Sequence, residues 1–507
     1  MTKLTGRIVF PDDPSYDNAR MDYNTRFSKY PCAIVFCQEI QDVINAVKWA
    51  RKNCVPIHTR CGGHSYEAFS ILNNGIVIDV SEMNKVLLEK ENMEVTIEAG
   101  ATLLPIYKIL WDKGVTIPGG TCPTVGIAGI TLGGGFGMLT RKMGMLCDSL
   151  MAVEMVNARG KVVYADRCVN SDLFWASCGG GGGNFGIVTS FIFKVHPISN
   201  VAVYNITWDW SDAKEIIKTW QDWAPFVDER LTSILEIFTE KDGRISSSGE
   251  FLGHEDQLRC LLRPLTSVGN PIQIEIQTIP YIEAVIKFDG GPGPHKFKNT
   301  GAFVYHRLPD KAIDTLLCYM GISPNKDNSI QFQSLGGAVR DILPDETAYF
   351  HREASYIMQY ITHWKVDNEK NPNIFWVEKL RQAMLKYVNG TYVNWPDIFI
   401  KDWPCAYYGT NYYELMRIKS KYDPENIFYF EQSIRPAKKE IIDNTHNKIG
   451  LVDNVENFAF TGAEVYTTFN DQSLTLYSGF HQPCFASTNK KPTTDLWLVL
   501  HIQRTQS

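Results

Sequence analysis

The first 200 residues alternate between short apolar runs and stretches in which apolar residues return at helical spacing. Residues 33–36 are a short apolar run, and residues 76–80 are apolar except for Asp79; both stretches predict buried strands. Apolar residues recur every three or four positions through 40–52 and 103–113, and these stretches predict two helices. A further extended stretch at 55–58 leads into a pair of glycines.

The pattern changes towards hairpins further along the chain. Residues 153–156 and 162–165 flank a turn and predict a hairpin, and 187–195 predict a last strand before Pro197. A helix around Trp220 then precedes five stretches of alternating polarity, at 231–238, 245–251, 272–278, 330–339 and 356–362. This pattern favours an antiparallel sheet with helices on one face. Strand–helix–strand units, whose strands can pair in parallel, occur here together with hairpins, and this mixture indicates the α+β class.

Four segments follow from these changes in pattern. Residues 1–197 are predicted to form one domain, and 198–387 a second domain that covers a substrate. Residues 388–436 are dense in aromatic and polar side chains. Residues 437–507 form a tail of unknown role, whose strand-like runs at 463–469, 474–477 and 496–502 suggest a small β unit.

Composition narrows the possible partners and compartments. The 507 residues carry a net charge of −6, which gives no electrostatic case for nucleic acid. No run approaches the roughly 20 apolar residues that span a bilayer, so no membrane partner is predicted. The N-terminus lacks the pattern of a secretory signal. The twelve cysteines are scattered, which favours reduced thiols and a cytoplasmic location, with secretion still open.

The most informative feature is a pair of glycine-rich loops that each carry a nucleophile. Residues 60–66 read RCGGHSY and contain His64, and residues 119–126 read GGTCPTVG and contain Cys122, 58 positions later. Glycines let backbone amides approach a ligand closely, which suits a phosphate-bearing group. The sequence therefore predicts a planar cofactor that is held at two covalent points, as a flavin can be.

Other readings of these loops are weaker. His58, Cys61 and His64 are spaced three apart, but a zinc site usually has four ligands, and no second cluster supplies the fourth. We therefore predict no metal. Neither G-x-G-x-x-G nor a P-loop occurs, so a nicotinamide or P-loop nucleotide site lacks support. Ser65 is not in a G-x-S-x-G elbow. As ordinary structural residues, His64 would be a buried histidine and Cys122 an inert thiol.

Five motifs in combination resemble the berberine-bridge-enzyme-like FAD-linked oxidases, which belong to the vanillyl-alcohol-oxidase superfamily with a PCMH-type FAD-binding domain. They are RCGGHSY at 60–66, CPTVG at 122–126, FGIV at 185–188, YVN at 392–394 and DPENIF at 423–428. The resemblance covers about 27–436. It implies an FAD domain of two α/β subdomains, to which 388–436 returns. Cys61 departs from the family, which has serine there.

The resemblance also implies the residues that bind FAD. His64 would bond the flavin 8α-methyl carbon and Cys122 ring carbon C6, so the attachment would be bicovalent. The complete set of implied cofactor-binding residues is His64, Cys122, Arg60, Cys61, Gly62, Gly63, Ser65, Gly120, Thr121, Thr124, Val125, Gly126, Gly129, Gly134, Gly137, Gly186, Ile187, Val188 and Asn394.

Three residues are candidates for the chemistry on the substrate. In similar sugar and alcohol oxidases the tyrosine of the Y-x-N motif is the base, which corresponds to Tyr392, and Tyr66 would line the same cavity. Tyrosine needs cationic neighbours to act as a base at neutral pH, and Arg340 is the candidate for that role. Arg340 stands where berberine-forming members have a glutamate base, which favours simple alcohol or sugar oxidation over ring closure.

Two hypotheses about function remain at this stage. The first is an oxidase that transfers hydride from an alcohol or sugar hydroxyl to flavin N5 and is reoxidised by O2 to give H2O2. Val125 supports it, because a small branched residue there lets dioxygen reach the flavin in the enzymes that this chain resembles. The second is a flavin-loaded binding protein without turnover, whose C-terminal tail binds a partner or a carbohydrate.

Overall fold

Residues 3–197 contain two sheets of four and five strands. The computed structural model describes residues 3–289 and 293–437, together with two strands of the tail. The first sheet has four strands, in the spatial order Arg7–Val9, Ala33–Phe36, Ile76–Asp79 and Ile57–Arg60. Its last three strands are parallel and its first is antiparallel. The apolar run of Ala33–Phe36 is buried along its whole length, as predicted for a strand covered on both faces.

The second sheet is antiparallel and has five strands. Their spatial order is Val86–Glu89, Glu94–Glu98, Gly186–Lys194, Leu150–Asn157 and Val162–Asp166. The helices of this first part of the chain are Tyr16–Ala19, Ile40–Lys52, Leu103–Trp111, Ile127–Leu132, Thr140–Met143 and Ser171–Ser177, with a 3₁₀ turn at Leu146–Ser149. A two-residue ladder joins Val115–Thr116 to His196–Pro197.

A seven-stranded antiparallel sheet dominates residues 200–361. The spatial order of its strands is Gln273–Pro280, Asn200–Asp209, Arg244–Phe251, Leu231–Phe238, Ser329–Ser334, Tyr356–Ile361 and Thr300–Val304. One face packs against helices Ala213–Trp223, Asp310–Gly321 and Lys370–Met384 in a separate apolar core. The other face carries polar side chains such as Glu236, Gln331 and Gln359, which line a cavity together with residues from the 3–197 segment. The prediction of an α+β fold with helices on one face of an antiparallel sheet is confirmed.

Shorter elements complete this part of the chain. Lys296–Phe297 pairs with His363–Trp364. The remaining helices and turns are Trp210–Asp212, Glu255–Leu261, Arg263–Thr266, Tyr281–Lys287, Gly337–Asp341, Asp367–Glu369, Trp403–Tyr408, Gly409–Asn411 and Tyr412–Tyr422. Residues 391–437 lie against residues 3–197: Lys419 Nζ donates to the Asn184 carbonyl at 2.6 Å, and Phe428 forms an isolated β-bridge with Ile57.

One predicted strand is shorter in the structure. The alternation over 330–339 predicted a continuous strand, but the strand ends at Ser334 and a 3₁₀ turn covers Gly337–Asp341. Gly336 and Gly337 both have positive φ, at 89° and 53°, which turns the chain out of the sheet. Strands Asn200–Asp209 and Thr300–Val304 and helices Asp310–Gly321 and Lys370–Met384 had no counterpart in the sequence prediction.

The tail is a separate unit, residues 438–507. Within it, Val465–Phe469 and Gln472–Leu476 pair as an antiparallel hairpin. The predicted run at 496–502 lies outside the described residues. Among the described helices, none is long and apolar enough to cross a membrane.

Candidate functional site

A cavity of about 720 Å³ lies where both glycine-rich loops, the polar face of the seven-stranded sheet and the Tyr392 segment meet. Its wall contains most of the predicted site residues, namely Cys61, Gly62, Gly63, His64, Ser65, Tyr66, Gly120, Thr121, Cys122, Val125, Gly126, Gly129, Gly186, Val188, Tyr392 and Asn394. The fold therefore brings together, in one cavity, residues that are more than 300 positions apart in sequence.

Arg60 supports the first glycine-rich loop through ion pairs with two carboxylates. This arginine ends strand Ile57–Arg60, is 6% exposed, and pairs with the carboxylates of Asp79 and Asp22 at 2.5 and 3.6 Å. Its guanidinium therefore supports the loop and lies outside the cavity wall. A Cβ on Gly62 would lie 2.6 Å from the Gly126 backbone nitrogen, so the two loops touch through glycine backbone.

The two predicted nucleophiles meet at one hydroxyl. Thr124 Oγ1 lies 3.0 Å from His64 Nε2 and 3.7 Å from Cys122 Sγ. Burial lowers the pKa of His64 to about 4, so the imidazole is neutral at physiological pH. A neutral imidazole has a free lone pair, which nucleophilic attack requires.

A third glycine stretch also faces the cavity. Gly181, Gly182, Gly183 and Asn184 line it, and Gly181 and Gly183 have φ of 86° and 72°. Asn184 Oδ1 accepts a hydrogen bond from the backbone N–H of Ile434 at 2.9 Å, which connects this turn to the C-terminal segment. The run of five glycines at 179–183 predicted a turn that approaches a ligand, although these positions were not among the residues assigned to the cofactor.

Tyr392 is buried in the cavity wall with its hydroxyl engaged. Its Oη accepts hydrogen bonds from the Gly135 backbone N–H and from Asn394 Nδ2, each at 2.9 Å. Asn394 also donates to the Ile130 carbonyl at 3.1 Å. Burial raises the pKa of Tyr392, and the two donors act in the opposite direction because they stabilise the ionised oxygen.

The polar face of the seven-stranded sheet forms the opposite wall. Glu236, Gln331 and Gln359 are direct cross-strand neighbours, so their side chains form one row across three strands. Gln359 Nε2 donates to Tyr66 Oη at 2.7 Å, and Ser329 Oγ donates to Glu236 at 2.9 Å.

The alternating pattern predicted pocket residues around Gln331, Gln333, Tyr356, Met358 and Tyr360. Gln331 and Gln333 line the cavity, whereas Tyr356, Met358 and Tyr360 belong to the apolar core on the other face of the sheet. Glu236 and Gln359 were missed because alternation alone does not say which face meets the cavity.

Arg340 does not occupy the predicted position. It lies on the turn Gly337–Asp341 and donates to the Glu353 carbonyl at 3.3 Å and to Ser355 Oγ at 3.1 Å. The Gly336–Gly337 turn ends the strand and directs this side chain away from the cavity wall. The role of Arg340 as the cationic neighbour of Tyr392 is therefore wrong.

Four other predicted residues lie behind the wall rather than in it: Thr124, Gly134, Gly137 and Ile187. Thr124 still contacts both nucleophiles through its hydroxyl, and Gly137 offers its carbonyl to Gln333 Nε2 at 3.0 Å. Among the described residues, no group of three His, Cys, Asp or Glu side chains could hold a metal ion.

The cavity fits FAD in one specific respect. Gly129 and Gly182 line it, and a Cβ on either would meet no protein atom closer than 3.8 Å. Their backbones therefore face open space rather than packed protein, as a backbone that approaches a cofactor must. Other glycines, such as Gly62, close the loops around that space. The residues present suit a large planar cofactor with phosphate groups.

The comparisons with known proteins agree with this geometry. Residues 31–166 match an FAD binding domain, and residues 391–435 match the berberine and berberine-like family. The fold and the site thus define a flavoprotein of the PCMH type, and the chain belongs to the berberine-bridge-enzyme-like family of FAD-linked oxidoreductases.

Three relatives show the extent of this similarity. "Uncharacterized FAD-linked oxidoreductase YgaK" of Bacillus subtilis (strain 168) is 48% identical over 446 residues, which cover 87% of this chain and 99% of the relative. The chitooligosaccharide oxidase of Gibberella zeae is 29% identical and is covered over 89% of its length, against 82% of this chain. The solved structure of Physcomitrella patens BBE-like 1 superposes with a TM-score of 0.81 at 30% identity, covering 85% of this chain and 97% of that one.

Proposed function

We propose that this protein is an oxidase that carries FAD at two covalent points, His64 and Cys122, and oxidises an alcohol or sugar hydroxyl to a carbonyl. One observation carries the proposal: both nucleophiles share the Thr124 hydroxyl inside a cavity whose wall also holds Tyr392 and the polar row of the seven-stranded sheet. The prediction of bicovalent attachment from the motifs is thereby supported by geometry.

The contacts of His64 suggest which nitrogen bonds the flavin. Nε2 is occupied by Thr124 Oγ1 at 3.0 Å, which leaves Nδ1 for the bond. Cys122 Sγ has a long contact of 3.7 Å to the same hydroxyl as its one hydrogen-bond contact within residues 3–289 and 293–437. Each bond would replace one hydrogen of the flavin and one hydrogen of the protein, from the His64 imidazole or the Cys122 thiol. Dioxygen would take up these two hydrogens, so that each bond formed would release one hydrogen peroxide.

Tyr392 is the proposed base for the substrate hydroxyl. When bound, FAD accepts the hydride from the substrate C–H bond and later passes the electrons to dioxygen. The hydroxyl proton goes to Tyr392 Oη, where the N–H groups of Gly135 and Asn394 stabilise the ionised form. No arginine or lysine hydrogen-bonds to this oxygen within the described part of the chain. We therefore assign the charge stabilisation to these two dipoles.

The polar row defines the substrate class. Glu236, Gln331 and Gln359 present carboxylate and amide groups, which accept and donate hydrogen bonds to several hydroxyls at once. Such a wall suits a sugar or another hydroxyl-rich alcohol, and a relative that covers most of this chain is named a chitooligosaccharide oxidase. Val125 lines the cavity as a small branched side chain, which fits dioxygen as the acceptor.

Intact mass of the denatured protein tests the attachment. We expect the parent protein to show a mass gain of one FAD. His64→Ala and Cys122→Ala should each keep this gain, because the other residue still attaches the flavin. The double variant should lose it. A denatured protein of unmodified mass would contradict two-point attachment.

Hydrogen peroxide release over a panel of sugars and alcohols tests the oxidase activity. Tyr392→Phe should lower kcat by about 10²- to 10⁴-fold, the usual contribution of a general base, with the FAD content unchanged. Full activity of this variant would exclude Tyr392 as the base. Lack of peroxide with any alcohol or sugar would count against the substrate class.

A further inference from the structure

Tyr23 covers one face of the His64 imidazole. The two ring centroids are 4.0 Å apart with an interplanar angle of 24°, a stacked arrangement. Thr124 contacts the edge of the same imidazole at Nε2. The ring is therefore restrained on a face and on an edge, and no hydrogen bond to Nδ1 comes from the described residues. No sequence motif includes Tyr23, which lies 41 positions before His64.

The backbone of Tyr23 is fixed to the loop that carries His64. Its N–H donates to the Gly63 carbonyl at 2.9 Å, and its own carbonyl accepts from the His295 N–H at 3.1 Å. The preceding residue, Asp22, pairs with Arg60 beneath the same loop. The tyrosine ring is thus held in register with His64 by the loop and by the segment around His295.

Tyr23 also lines the cavity beside the second nucleophile. Burial raises its pKa to about 12, and the negative charge of an ionised Cys122 acts in the same direction, so the phenol is neutral at physiological pH. Its ring contacts those of His295 and Phe297 edge-on, at 5.7 and 6.4 Å between centroids. The ring is therefore packed and presents a fixed face to His64.

We propose that Tyr23 is a positioning residue for flavin attachment: its stacked ring holds the His64 imidazole in the orientation that directs Nδ1 into the cavity. This inference rests on the proposed attachment of FAD to His64. The stack, rather than the phenol hydroxyl, does the positioning, so phenylalanine should replace tyrosine and leucine should not. Loss of a stacked aromatic pair corresponds to about a threefold to tenfold change in the favoured orientation.

The test separates the two attachment points. In the Cys122→Ala protein, Tyr23→Leu should lower the fraction of chains linked to FAD soon after FAD is added by about threefold to tenfold, and Tyr23→Phe should restore it. In the His64→Ala protein, where only Cys122 can attach FAD, Tyr23→Leu should have no effect. Equal losses in both backgrounds, no loss in either, or failure of phenylalanine to restore attachment would overturn the proposal.

A second measurement does not depend on the flavin. If the Cys122→Ala protein carries no FAD on His64, the proposal of two-point attachment is wrong, and the role of Tyr23 must be tested without flavin. The rate at which diethyl pyrocarbonate modifies His64, measured from the mass of the peptide that contains it, then tests the stacking. Tyr23→Leu should raise the rate severalfold and Tyr23→Phe should not. An unchanged rate in Tyr23→Leu would overturn the role of Tyr23.

Discussion

Glu250 provides a direct test of how the buried interior responds to pH. It lies on strand Arg244–Phe251, is 2% exposed, and its Oε1 has no hydrogen-bond partner among the described residues. It borders a cavity of about 20 Å³ together with Tyr281 and the Gly120–Thr121 end of the Cys122 loop. Burial raises the pKa of its carboxyl from 4.5 to about 8.

The raised pKa sets both the direction and the size of the effect. The unfolded chain loses the Glu250 proton from pH 4.5 upwards, whereas the folded chain keeps it until about pH 8. The unfolded state therefore binds fewer protons in this window, and stability falls as pH rises until it levels off above pH 8. Between pH 5 and pH 8.5 the loss amounts to about 4 kcal/mol. With an unfolding entropy of about 2.1 cal/mol/K per residue over Met1–Ala437, this corresponds to about 4 °C in Tm.

Glu250→Gln isolates this contribution because glutamine keeps the size and does not ionise. Thermal unfolding of the parent and the variant at pH 5 and pH 8.5 measures it. The Tm of the variant minus the Tm of the parent should be about 4 °C larger at pH 8.5 than at pH 5. Glu91→Gln, at an exposed position, is the control and should show no such gain. The same Tm difference between Glu250→Gln and the parent at both pH values would refute the reasoning.

Two further predictions concern packing. Lys298 is 1% exposed and faces the carboxylates of Glu67, Glu378 and Asp397, of which Asp397 is nearest at 2.6 Å. Lys298→Met removes the cation beside Glu378 and Asp397, while Glu67 keeps its ion pair with Arg26, and should lower the free energy of unfolding by about 3–5 kcal/mol, measured in urea. A loss of unfolding free energy no larger than that caused by breaking an exposed ion pair would contradict this prediction. Gly62→Ala places a Cβ 2.6 Å from the Gly126 backbone nitrogen, so the absorbance of bound flavin should fall severalfold. The control Gly321→Ala, whose Cβ would meet the flexible end of a side chain, should retain the flavin. Full flavin content in Gly62→Ala would contradict the prediction, because it would show that the two loops can separate freely.

Local patterns account for the elements and motifs that the sequence predicted correctly. Helix Ile40–Lys52 and strand Ala33–Phe36 follow from the spacing of apolar residues, because burying one helix face or a whole strand requires that spacing. The glycine loops around His64 and Cys122 were equally visible, since few chains place a nucleophile between such glycines. Residue type and short-range order carry all of this information.

Long-range packing decided the rest of the site. Two glycines with positive φ end the strand at Ser334 and turn Arg340 away, although the alternation continues to Val339. Glu236 faces the cavity because the register of three strands places it beside Gln331. Tyr23 reaches His64 only because its backbone joins the Gly63 loop. Such contacts depend on the free energy of the whole packed chain, so the sequence alone determined the chemistry available and the tertiary structure decided which side chains meet.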